Sequence, residues 1–497
     1  MTQAKSFLII SSFHGKHNIM TLVAIEKGLF FRDAEIVEID RIASLISLQG
    51  LRGRCVVIVS IVDYMRRQII KLVWPVILEG TGIMAVGVLL TAMVGRLGAV
   101  SLAAVGLATM LQFSTAMVFA AAGTGAAAIV ARETGAGNWQ EARNIIGQAI
   151  GLGAVLGAGV AVIGWFAAEF VLNLTAAESE VIVLASGLVK IAFMFTPLFL
   201  IMSIGTAALR GMGKTQTAFY ITLVSNISAI GIAYVLVFGH GLPAMGPYGA
   251  AWGMGVSQLA GALTVLFVLN RQQKIQLSWR HVLVIRSKVI ARIMDISVPA
   301  ALEQLAMQSG RMVFTFMLAG VGSTQFAAHQ IATQIESMSF LPGFGFSVAS
   351  MTLVGQYLGK GMPHRAIQFA WLTNKIAWLS MTAAGVVIFI FARELTTLFI
   401  DDPQVTHWGT LCVMIAVLEQ PTLAICFVLG GALRGAGDTR WPMYITTMGV
   451  WLIRLPLVYL FISVWGYDIT AAWYITAGDF LIRGAILWWR FDSRKWG

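Results

Sequence analysis

The sequence predicts an all-α integral membrane protein with twelve transmembrane helices in two six-helix bundles related by a parallel repeat. Three observations carry this reading. The composition is too apolar for a soluble fold, the basic residues fall in alternate loops, and the chain repeats itself at a constant offset of 224 residues.

Of 497 residues, 58% are hydrophobic and 11% are charged. An ordinary soluble chain carries about 25% charged residues, so a soluble fold of this size could not cover its surface. The 51 glycines suit closely packed membrane helices. A net charge of +11 on a soluble protein would suggest nucleic acid. In a membrane protein it reflects basic cytoplasmic loops, and no nucleic-acid partner is expected. Cys55, Cys412 and Cys426 match neither a disulfide framework nor a zinc site. The first residues lack the basic stretch, apolar run and cleavage site of a secretory signal.

A span needs about 20 residues. Long apolar stretches fall at 72–94, 103–131, 145–174, 181–209, 217–239, 248–270, 296–319, 326–355, 370–400, 407–433, 441–465 and 470–490. Numbered from a cytoplasmic amino terminus, the inner segments hold 21 lysines and arginines; the outer loops hold only Arg96 and Arg393. That bias predicts cytoplasmic termini.

Adding 224 converts Pro75 to Pro299, Glu79 to Glu303, Gly98 to Gly322, Gly135 to Gly359 and Pro197 to Pro421. Leu209-Arg210-Gly211 becomes Leu433-Arg434-Gly435, and Thr222 becomes Thr446. Six helices separate the copies, so both halves enter the membrane in the same sense. Two such bundles around a central cleft suit alternating access. The expected domains are an N-lobe at 65–280 with helices 1–6 and a C-lobe at 281–497 with helices 7–12. Residues 1–64 have no counterpart in the repeat. They read as an amino-terminal extension without independent function, or as sequence upstream of a start at Met65.

Several segments resemble the multidrug and toxic compound extrusion (MATE) family: Thr91–Ala108, Gly123–Arg143, Ala327–Ile335, and the paired Leu-Arg-Gly segments that begin at Ala208 and Ala432. The resemblance runs from about Met65 to the carboxyl end. It implies an antiporter in which proton or sodium movement drives export of amphipathic, often cationic, organic compounds. Two departures are plain. Where some members carry an Asp in helix 1, this chain has Leu90. Where others carry a Glu in helix 7 and an Asp in helix 10, it has Met307 and Leu423. Coupling must therefore use other carboxylates.

An ionisable side chain inside a span costs about 2.5–3.5 kcal/mol on insertion scales and is a functional candidate. Glu79 lies seven residues past Leu72, about 10 Å into the first span at 1.5 Å per residue. It follows Pro75, and Glu303 repeats the arrangement after Pro299. Each reads either as a desolvated ion carrier or as a hydrogen-bonded packing residue. Glu419, just before Gln420-Pro421, is the third ion-coupling candidate, against a hydrogen bond at a local helix break. Glu336 in span 8, whose repeat partner is Gln112, could face a cationic substrate, relay protons or pair with Arg311. Gln334, Met338, Phe344 and Phe113 complete the expected substrate cavity, since flexible Met and flat aromatics suit promiscuous binding; packing is the plainer reading of each. Arg454, Asp479 and Arg483 read as counter-ions or structural charges, with Asp479 and Arg483 one turn apart. Arg210 and Arg434 read as helix-terminal residues, His329 as a neutral imidazole bonded to a neighbouring helix, and Lys190 as a span residue with no partner in sight.

The expected function is secondary antiport with a proton or sodium as coupling ion and no cofactor. The alternative is a flippase for a lipid-linked molecule, which would need more cleft arginines than Arg311 and Arg454. An enzyme is not expected, because the only paired carboxylates, Asp401-Asp402, precede Pro403 and read as a helix cap. No metal site is expected, His14 and His17 having no supporting ligands. The setting is a cell (inner) membrane, multi-pass, with the protein monomeric and its partners the bilayer and small amphipathic molecules.

Overall fold

A computed structural model describes residues 51–173, 175, 178–241 and 243–496, with side chains from residue 62 onward. Most of the amino-terminal extension, including His14 and His17, lies outside the described residues, as does the Cys55 side chain. Met65–Gly497 forms one compact unit.

The described residues form helices and no strand. The spans are α1 (Leu51–Gly95), α2 (Ala99–Gly135), α3 (Trp139–Asn173), α4 (Ser179–Met194 with Thr196–Gly211), α5 (Thr215–Phe238) and α6 (Pro247–Arg271). The second set is α7 (Ser287–Ala319), α8 (Ser323–Gly359), α9 (Pro363–Ile390), α10 (Pro403–Ala436), α11 (Arg440–Val464) and α12 (Ile469–Asp492). Among the described residues nine helices are long and apolar enough to cross a membrane, and ten if the two pieces of α4 count as one. The sequence reading counted twelve. The remaining two, α7 and α12, have the length, but buried charges such as Glu303, Asp479 and Arg483 lower their apolarity.

The repeat explains the breaks. The pieces of α4 meet at 48° just before Pro197, because proline cannot donate to the preceding turn. In α10 the counterpart Pro421 follows a 3₁₀ turn at Val417–Glu419. Gly98 and Gly322, one repeat apart, turn into α2 and α8 at φ 112° and 130°, a region open to glycine at little cost.

The lysine- and arginine-rich loops lie at one end of the bundle, here termed the basic end. There the two halves close on each other through glycines. A Cβ at Gly135 on α2 would lie 2.0 Å from the Gln356 carbonyl oxygen on α8, and one at Gly359 on α8 would lie 1.9 Å from the Arg132 carbonyl oxygen on α2. Arg132 and Gln356 are also one repeat apart, so the seam is reciprocal. Thr352 donates to the Arg210 carbonyl (3.0 Å), Gln356 donates to the Gly211 carbonyl (3.1 Å), and Arg292 on α7 pairs with Glu133 on α2 (2.6 Å). Ser297 lies against Gly125, and Leu341 against Gly80. Each of these contacts lies in the basic-end half of its helix or at the helix middle.

Candidate functional site

Three charged assemblies sit within the spans. In the first half, Glu79 on α1 is buried (6% exposed). Its carboxylate accepts from Thr222 Oγ1 on α5 at 2.7 Å and pairs with Arg210 from the end of α4 at 3.4 Å. The second half repeats this residue for residue. Glu303 on α7 accepts from Arg434 at 2.7 Å and from Thr446 at 3.1 Å. The arginines are not merely helix-terminal, as the sequence reading had them; their guanidinium groups turn inward to neutralise the glutamates. The signal was present in the repeat, which returns all three polar residues together. The copies differ in one respect: Arg210 also donates to Thr206 at 3.0 Å, where the second half has Gly430.

The third assembly has no copy in the first half. Asp479 on α12 receives Arg483 from one turn along at 2.5 Å and Arg454 from α11 at 2.9 Å. Both guanidinium groups stand over the Phe480 ring, at 4.4 Å and 4.9 Å. Arg454 ends a π-helical stretch, Gly449–Arg454, and such bulges often re-aim side chains at functional sites. α11 reaches α12 through Gly449, where a Cβ would lie 2.5 Å from Asp479 Oδ1 and 2.6 Å from Arg483 Cδ. Gly449→Ala is therefore expected to lower unfolding stability by about 1–3 kcal/mol, as overpacking does; a variant melting with the wild type would show that this contact is slack. Glu419 lies beside the network, fully buried, with neither carboxylate oxygen hydrogen-bonded to a donor among the described residues. The turn that bears it packs on α8 beside Glu336: Ile415 and Ala416 share a cluster with Ile335, and Gln420 donates to Ser339 at 3.0 Å.

A family model described as MatE matches residues 75–235 and again 299–460, the two matches beginning one repeat apart. The chain belongs to the MatE family. As a MatE protein it is a membrane transporter and not an enzyme. It is 30% identical over 439 residues to the probable multidrug resistance protein NorM of Thermotoga maritima, covering 88% of this chain and 94% of that one. It is 26% identical over 401 residues to the multidrug resistance protein PmpM of Pseudomonas aeruginosa, covering 79% and 83%. Among solved structures, the fold matches one described as an outward-facing multidrug resistance MATE family transporter of the MOP superfamily (TM-score 0.80, 18% identity, 86% of this chain and 96% of that one). It matches equally a MOP superfamily transporter from Pyrococcus furiosus described as having a binding pocket of reverse polarity (TM-score 0.80, 19% identity, 86% and 96%).

In this MatE chain the positions where the resemblance would put acids are filled without charge. Leu90 and Leu423 are buried and Met307 is partly exposed. Of the expected cavity residues, Phe113 lines a cavity of about 340 Å³ with Thr91, Leu102, Thr109 and Met110, between α1 and α2. Gln112 is half-buried beside it, while Gln334, Met338 and Phe344 are exposed on α8 and do not line that cavity. Arg311 makes no ion pair with Glu336 among the described residues and is exposed. His329 is buried among Phe314, Phe326 and Trp473 with its Nδ1 unbonded, an aromatic enclosure in place of the expected hydrogen bond. Lys190 has a partner after all, Glu169, at 4.0 Å. Asp402 caps α10, accepting from the Gln404 and Val405 amides at 2.8 Å and 3.0 Å. No group of His, Cys, Asp and Glu suited to a metal ion occurs among the described residues.

Proposed function

We propose that this MatE protein is a secondary active antiporter that exports amphipathic organic cations in exchange for protons or sodium by alternating access. The observation that carries the proposal is the glycine seam between the halves at the basic end. Two bundles joined by backbone contact at one end, and related by an axis along the membrane normal, can rock to open that end and close the other. The basic end faces the cytoplasm on the positive-inside rule, in a cell membrane with both termini inside, and the names of the Thermotoga and Pseudomonas relatives support drugs and similar toxic compounds as cargo. The protein works as a monomer with the bilayer and its small-molecule substrates as partners, and without a cofactor. A flippase reading finds little support, because Arg454 is engaged by Asp479, leaving Arg311 as the one arginine of the pair that is exposed and outside an ion pair among the described residues.

Reconstituted protein is expected to accumulate a fluorescent organic cation against its gradient when given a pH gradient or, separately, a sodium gradient. Movement driven by neither ion would overturn antiport.

A further inference from the structure

The Glu336–Glu419 assembly stands out because the protein contains its own control. Subtracting 224 from Glu419 gives Phe195, and α5 and α6, the counterparts of α11 and α12, carry no Asp, Glu, Lys or Arg before Arg271 at the end of α6. In the first half, Phe195 fills the equivalent space. A Cβ at Gly255 would lie 2.2 Å from the Phe195 ring, and Trp252 packs edge-on at 5.6 Å. The fold is thus built at this place without any charge. The second half carries five ionisable groups where the first carries none, and burying charge is costly unless it is fully paired. Architecture alone does not require the assembly.

We propose that Glu336 and Glu419 form a carboxyl pair that binds one proton, and that this pair, held by the Arg454–Asp479–Arg483 network, is the coupling site of the transporter. The assignment rests on the antiport reading above. Three carboxyls face two guanidinium groups, so the assembly carries one net negative charge when all are ionised and is neutral with one proton bound. Two carboxyl groups on neighbouring turns share a proton more readily than they carry two charges side by side. The geometry divides the labour. Glu419 is sealed, with both oxygens lacking a donor, whereas Glu336 on α8 is only partly buried. Glu336 is the port that takes a proton from hydronium in the cleft, and Glu419 is the partner that holds it.

The surroundings are accounted for helix by helix. α8 brings Glu336, α11 brings Arg454, and α12 brings Asp479 and Arg483. α10 itself adds the free thiol of Cys426, while α9 meets the turn through Gly385, which lies against Val417 and Gln420. Gln420 is tied to Ser339 on α8 at 3.0 Å, so the turn bearing Glu419 and the helix bearing Glu336 are fastened together one residue from Glu419 and three from Glu336. A sodium ion would need several more oxygen ligands than two carboxyls, beside two arginines. A singly charged organic cation in the cleft would face an ionised Glu336, and protonation of the pair removes that attraction. Proton and cargo would then exclude each other.

The test uses the full chain in proteoliposomes with ethidium as cargo. Glu419→Gln and Glu336→Gln are each expected to cut pH-gradient-driven accumulation about tenfold or more. A single symmetric elution peak and an unchanged amide infrared band show that the variants fold. Infrared difference spectra of the purified protein are expected to show a pH-titrating carboxyl band that disappears in both variants. Full pH-driven accumulation in either variant, or an unchanged carboxyl band, would overturn the assignment, as would wild-type transport driven by sodium alone. If wild type responds to no gradient, antiport itself fails, yet loss of the band in Glu419→Gln would still establish the proton site.

Discussion

Gly359→Val is expected to hold the basic end open and to abolish export. A Cβ at this position would lie 1.9 Å from the Arg132 carbonyl oxygen and 2.9 Å from the Ala136 nitrogen. Both are backbone atoms, so no side chain can swing aside. The overlap is relieved only by separating α2 from α8, which breaks the seam. Overpacking a core costs about 1–3 kcal/mol, and overlap onto rigid backbone exceeds that range. Turning a mostly closed population into a mostly open one takes about 5.5 kcal/mol. Gly135→Val meets the Gln356 carbonyl at 2.0 Å in the same way and is expected to behave alike. Spin labels at Gln140 and His364, exposed repeat counterparts just past the ends of α2 and α8, report the separation. A longer label-to-label distance with transport lost is the expected result; an unchanged distance with normal export would remove the seam from the mechanism.

Glu303→Gln is expected to destabilise the protein by about 3–5 kcal/mol, the usual consequence of leaving one member of a buried ion pair alone. Arg434 would lose its 2.7 Å charged partner on the buried side of the pair. Glu79→Gln should cost less, because Arg210 stands 3.4 Å from Glu79 and keeps its 3.0 Å bond to Thr206. Replacing both Glu303 and Arg434 by Met should restore most of the stability, since an apolar pair of similar volume often serves as well as a buried ion pair. Thermal unfolding in detergent decides the matter. If Glu303→Gln melts like the wild type, the pair contributes nothing to stability. If the double variant regains stability and transports, Glu303 is a packing residue; stability without transport would place it in the cycle.

Much of the fold was legible in the sequence, since apolar run length and loop charge are one-dimensional signals. The repeat pairs Pro197 with Pro421, where α4 bends by 48° and α10 carries a 3₁₀ turn. Less was legible of the site. Glu79 and Glu303 were identifiable as buried acids, but their arginines, 131 residues further on, read locally as helix-end residues complementing a dipole. Only the joint return of glutamate, arginine and threonine at one offset links them. The meeting of Glu336 with Glu419 left no such trace, because nothing in the first half repeats it. Lys190 reads as isolated on its own helix and finds Glu169 on the neighbouring one. Periodicity along a helix says which residues share its face and nothing about what the next helix presents.

The glycine seam has one further consequence. Gly135 faces the carbonyl of Gln356, and Gly359 faces that of Arg132, so each helix offers both a notch and the ridge that fills the other's notch. This is the arrangement of an isologous interface, in which one surface patch recognises its own copy about a two-fold axis. A six-helix unit with that patch would be complementary to a second copy of itself before any linker joined them. In the present chain the covalent connection between α6 and α7 keeps the two patches together at any protein concentration, and it frees the halves to differ elsewhere.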